Sequence, residues 1–148
     1  MNHASSRMRH LAERIIKQEA GERELPSTEF QISGAVIQKL RPQLVDLMGN
    51  NGFHALVSRS LRLAKEEVPW LARASLNKEG ILEGFEDSHE PAAPEQISTG
   101  GSVMLASMLG LLSSFIGELL TMQIVLEVWP KLQLDGYFLQ AYDHEKNL

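Results

Sequence analysis

The chain reads as an all-α protein, a helical bundle of four to five helices ending in a long apolar C-terminal helix, and three observations predict it. Apolar residues recur at steps of three and four through residues 5–20, 29–48 and 53–67, which is the repeat of one helix face. The segments are separated by turn-forming residues: Pro26, the run Gly49-Asn50-Asn51-Gly52, and a Gly- and Pro-rich stretch over 77–101. Finally, the 22 residues between Glu95 and Glu118 carry no charge, and a helix apolar on nearly every side must be buried against something.

The first helix is predicted over residues 5–20, capped by Ser5 or Ser6, with Met8, Leu11 and Ile15 on one face and Gly21 as its stop. A polar linker containing Pro26 follows, so residues 1–28 either pack on the body or form an arm. The second helix runs from about Glu29 to Met48 on an apolar face of Ile32, Ala35, Val36, Leu40, Leu44, Leu47 and Met48. Pro42 should kink or split it, because it lacks a backbone donor and crowds the preceding turn. The third spans Phe53 to about Glu67, with Phe53, Leu56, Val57, Ser60, Leu61 and Ala64 facing inward. Pro69 can open a short further helix carrying Trp70, Leu71 and Ala74. Ile81, Leu82 and Phe85 are placed to pin the 77–101 connection to the body. The last helix starts near Glu95 or Ser98, ends at Trp129 before Pro130, and would be about 45 Å long if continuous. Residues 131–148 are a tail with an apolar cluster at Tyr137, Phe138, Leu139 and Tyr142.

The apolar run is read as a buried helix rather than a membrane span. Glu118 would cost about 2.5 kcal/mol or more at mid-bilayer, and no Lys or Arg flanks the run before Lys131. Its small residues are also ordered. Ser102, Ala106, Gly110, Ser113, Ser114, Gly117 and Thr121 follow steps of mainly three and four, a stripe that lets another helix approach closely. Ala106, Gly110, Ser114, Gly117 and Thr121 are therefore the predicted close-packing positions.

A chain of 148 residues, 43% hydrophobic and 22% charged, fits one domain over 1–148. It has no cysteine, so disulfides, thiolate metal sites and a cysteine nucleophile are excluded; this suits a reducing cytoplasm. The N-terminus has no apolar run of a secretory signal. The net charge of −5 disfavours nucleic acid as a general partner. Residues 1–78 hold 12 of the 14 Lys and Arg against 8 acids, whereas residues 79–148 hold 11 acids and two lysines. The two halves should attract each other, within one chain or between two.

Glu118 is the one charge in residues 101–120, and a buried carboxylate needs a partner. The candidates are Arg59, Arg62 and His54 on the third helix, and Arg41 beside Pro42. An ion pair fixing helix register is the first expectation; a ligand-binding carboxylate in a pocket is the alternative. Elsewhere the chemistry is sparse. The five histidines form no HExxH and no helical ligand pair, and Asp87-Ser88-His89-Glu90 and Asp143-His144-Glu145 are only loosely ligand-like. There is no Walker A, GxGxxG or GxSxG pattern. Arg7, Arg9, His10, Arg14 and Lys17 give the first helix basic character, but Glu13 and Glu19 share it, as in an exposed mixed-charge helix. Met104, Met108, Met122 and Phe115 are candidates to line a cavity for an apolar ligand, though such residues commonly fill cores.

Two blocks carry a resemblance. Gly52-Phe53-His54-Ala55-Leu56 with Arg59-Ser60-Leu61, and Phe115-Ile116-Gly117-Glu118 with Leu120-Thr121 and Val128-Trp129-Pro130, resemble segments of a group of small helical bacterial proteins of no assigned activity. The likeness covers roughly residues 35–130, leaving out both ends. It implies a bacterial origin and an all-helical fold, and it brings no catalytic residue and no cofactor. The expected function is non-enzymatic, exercised through protein contacts by a cytoplasmic homodimer or with another protein. The alternative is a small-molecule sensor or apolar-ligand binder with a pocket near Glu118.

Overall fold

The computed structural model describes residues 6–22, 29–68, 71, 74–79, 81–83 and 94–132. Four helices dominate it: α1 (Ser6–Glu22), α2 (Glu29–Glu67), α3 (Pro94–Ile116) and α4 (Glu118–Val128). A two-residue antiparallel ladder, β1 (Ser75–Leu76) with β2 (Leu82–Glu83), closes a turn after α2, pairing Ser75 with Glu83 and Leu76 with Leu82. Asn77 organises that turn, since its Oδ1 accepts from the amides of Glu79 at 2.9 Å and Ile81 at 3.0 Å.

The fold is all-α, and α3 is its centre, packed against α1, α2 and α4. Positions 101–109 of α3 are buried without interruption, as an all-round apolar helix requires. Among the described residues no helix is long and apolar enough to cross a membrane. α1 is not a detached arm: Met8, Leu11, Ala12, Ile15 and Ile16 belong to the same core as Leu40, Phe53 and Val57 of α2. The inward face predicted for 53–67 holds at Phe53, Val57, Ser60, Leu61 and Ala64, all buried, with Leu56 half-buried. Leu47 departs from the expected apolar face of α2; it is 46% exposed.

Two glycines shape the fold in ways the periodicity does not show. α2 stays helical through Pro42, which is exposed, and its single non-helical residue is Gly49, at φ 78° and ψ 168°. The expected kink or split at Pro42 is thus corrected to a bend about two turns later, at the start of the Gly-Asn-Asn-Gly run. The expected continuous C-terminal helix is corrected as well. Gly117, at φ 93° and ψ 151°, separates α3 from α4. Both glycines lie in a backbone region that is essentially closed to L side chains. The break at Gly117 keeps its hydrogen bonds: its amide donates to Ser113 O at 2.8 Å, and its carbonyl accepts from Thr121 N at 3.1 Å and Thr121 Oγ1 at 2.8 Å.

That break divides the predicted small-residue stripe. Ala106 and Thr121 are buried, Gly110 is half-buried, and Ser114 and Gly117 are exposed. A straight helix would carry all five on one line; here that line is buried at Ala106 and Thr121 and exposed at Ser114 and Gly117. A Cβ built on Gly117 meets nothing within 4 Å, so this glycine serves the backbone and not a close helix approach. The short helix expected after Pro69 and the apolar cluster over 137–142 lie outside the described residues.

Candidate functional site

Glu118 opens α4 directly after the Gly117 break, half-buried, and its partner is Arg7 of α1. Arg7 Nη1 donates to Glu118 Oε2 at 3.1 Å, and Nη2 contacts Oε1 in a two-pronged pair, the geometry that makes Arg–carboxylate pairs specific. The expected partners are elsewhere. Arg41 Nη1 donates to Gln38 Oε1 at 3.1 Å, and its guanidinium stacks 5.3 Å from the Phe53 ring centre. His54 Nε2 lies 3.2 Å from the Asn77 carbonyl oxygen, tying α2 to the turn. Arg59 and Arg62 are exposed, and among the described residues they make no ion pair or hydrogen bond. The expectation failed on geometry: Glu118 faces α1, an element its sequence neighbours do not identify. Arg7 and Arg9 of the basic first helix are both engaged with acids, Arg9 with Glu67 at 3.6 Å.

The deeply buried carboxylate is Glu19, 3% exposed, which sequence reasoning placed on a solvated helix. Its Oε1 accepts from Lys39 Nζ at 2.6 Å and from Trp129 Nε1 at 3.2 Å, and Lys39 also reaches Glu22 at 3.6 Å. This cluster joins α1, α2 and the chain after α4. A signal for it exists: Glu19 falls four residues after Ile15 and eight after Leu11, in register with the buried face of α1. A buried tryptophan moreover demands an acceptor for its N–H.

The hydrogen bond to Glu19, joined by the carboxylates of Glu19 and Glu22, raises the Lys39 ammonium above the ordinary lysine value of 10.5 against a smaller opposing effect of burial. A raised pKa in the folded state means the stabilisation is complete below the unfolded pKa near 10.5 and disappears as pH climbs through the higher folded value. Urea-unfolding free energies measured from pH 8 to 11.5 should fall at the alkaline end, and Lys39→Met should remove that part of the fall.

The surface around the end of α3 is different in kind. Phe115 is 75% exposed, and Leu120 is 39% exposed nearby in sequence. Phe115 borders an open trough of about 490 Å³ between α2 and α3, lined also by Met48, Gly52, Leu56, Leu111 and Leu112, with Arg59 at its edge. A polar recess of about 460 Å³ adjoins it, sharing Ala55 and Arg59 and adding Asn51, His54, Ser58 and Arg62. Gly52 keeps the trough wall low: a Cβ there would meet the Met48 side chain at 3.0 Å. The sequence-predicted residues His54, Arg59 and Arg62 thus gather at one recess, without Glu118. Of the four residues considered for an apolar cavity, Met104, Met108 and Met122 are buried core, and only Phe115 lines the trough.

Among the described residues no three His, Asp or Glu side chains gather as a metal site; the Asp87–Glu90 and Asp143–Glu145 stretches lie outside them. No family model, no curated protein and no solved structure matches the chain. The likeness of the two sequence blocks to a bacterial group therefore rests on those blocks alone.

Proposed function

We propose that this chain is a non-enzymatic all-α protein that works through protein contacts, as a homodimer or with another protein, made on the open apolar face between α2 and the end of α3. One observation carries the reading: a phenylalanine 75% exposed beside an apolar trough of about 490 Å³. Large exposed aromatics next to a groove mark interaction surfaces, because leaving them wet forgoes the stabilisation of burial. The trough is open to solvent, as a groove for a helix is; the small-molecule alternative calls for an enclosed cavity beside Glu118, and Glu118 does not line this one. A cysteine-free chain is in keeping with a cytoplasmic setting, and the resemblance of the two sequence blocks implies a bacterial one.

Native mass measurement and capture from the source cells test this together. The tagged wild-type chain should retain a second copy or another protein, and Phe115→Asp should release it. The melting temperature should hold within a degree or two, because so exposed a ring contributes little to the core. Equal retention by both chains overturns the reading.

A further inference from the structure

We infer that the trough receives an amphipathic helix whose apolar anchors are flanked by acidic side chains, an inference that rests on the protein-contact reading above and names the partner's chemistry. The trough supplies the apolar half. Met48, Leu56, Leu111, Leu112 and Phe115 line it, and from Gly52 to Arg59 the α2 wall runs about 10 Å, two helical turns. That length matches side chains at i, i+3 or i+4, and i+7 of a docked helix. The adjoining recess supplies the charge. Arg59 belongs to both hollows and Arg62 to the recess, one turn further along the same face of α2. Among the described residues neither arginine has a carboxylate partner, and none of those lining either hollow is Asp or Glu. Asn51, His54 and Ser58 line the same recess. Two guanidinium groups that no described carboxylate neutralises, beside an apolar groove, select acids on the partner and repel basic ones, which fixes both orientation and choice of partner.

The whole chain carries a net charge of −5, so general electrostatics favour a basic peptide over an acidic one. A preference for acid must come from the rim itself, and that makes the test sharp. Two synthetic 18-residue helical peptides share leucine anchors at i, i+4 and i+7, with Glu flanks in one and Lys flanks in the other. Fluorescence anisotropy against the full chain at about 50 mM salt should show the Glu peptide binding at least about tenfold tighter, the gap narrowing as salt screens the rim. Arg59→Glu with Arg62→Glu should reverse the order, and Phe115→Asp should abolish binding of both peptides. Because all three side chains are solvent-facing, circular dichroism melts of the variants should stay near wild type. Equal binding of both peptides, lost in Phe115→Asp, leaves the contact face standing and overturns the acidic partner. Glu-peptide binding that survives Phe115→Asp overturns both. No binding of either peptide overturns the inference, and so does a wild-type dimer that neither peptide dissociates, which would assign the trough to the chain itself.

Discussion

Glu19→Ala should lower the unfolding free energy by about 2–4 kcal/mol, more than any other single polar-to-alanine change at the described ion pairs. The cost has two sources. The indole N–H of Trp129, a residue 2% exposed, loses its acceptor at 3.2 Å, and a buried donor left unsatisfied costs about 1–3 kcal/mol. Lys39 loses a charge-assisted bond of 2.6 Å, but at 44% exposure its ammonium recovers water, so the total stays below the upper range for breaking buried pairs. Glu19→Gln retains an acceptor oxygen and should lose about half as much. A double-mutant cycle with Trp129→Phe separates the sources: once the indole N–H is gone, removing Glu19 should cost at least about 1 kcal/mol less. Additive losses would mean that the Glu19–Trp129 contact contributes nothing, and a Glu19→Ala loss under about 0.5 kcal/mol would remove the cluster as a staple of the fold.

The sites of failure and success in reading the chain have physical causes. Faces set by local spacing were legible: Met8, Leu11 and Ile15 on α1, and Phe53, Val57 and Ala64 on α2, are buried as their period requires. His54, Arg59 and Arg62 share one stretch of α2, so their meeting at one recess follows from helix geometry alone. What was not legible depends on which element lies against which. Glu118 finds Arg7 across 111 residues, a pairing that exists only because α1 docks on α3. The bend of α2 falls at Gly49 and not at Pro42 because an exposed proline can forgo one hydrogen bond within a helix held by its buried face, whereas a glycine alone permits the reversed φ. Glu19 was the recoverable miss: its register on α1 was visible, but a carboxylate on an otherwise polar helix invites a solvated reading until Trp129 is known to reach it.

The same asymmetry of glycine yields the second large effect, in which one chemical change has opposite signs at two positions. Gly117→Ala should destabilise the fold by about 1–3 kcal/mol, since φ 93° and ψ 151° are closed to an L side chain. The open space around a Cβ at 117, with nothing within 4 Å, rules out crowding as the cause. Gly117→Leu should therefore cost about as much as Gly117→Ala, where a packing groove would make leucine far worse. Gly34→Ala is the matched control. It sits inside α2 with helical backbone, and a Cβ there also meets nothing within 4 Å, so the change should gain up to about 1 kcal/mol through the better helix propensity of alanine. Urea titrations of the three variants decide the point. A leucine loss well beyond the alanine loss would restore the small-residue seam, and a neutral Gly117→Ala would mean that α3 and α4 join as one continuous helix. If the signs separate as expected, the Gly117 break is what ends α3 at Ile116, one residue after Phe115. Relaxing it would then change the apolar face on which the proposed contacts depend.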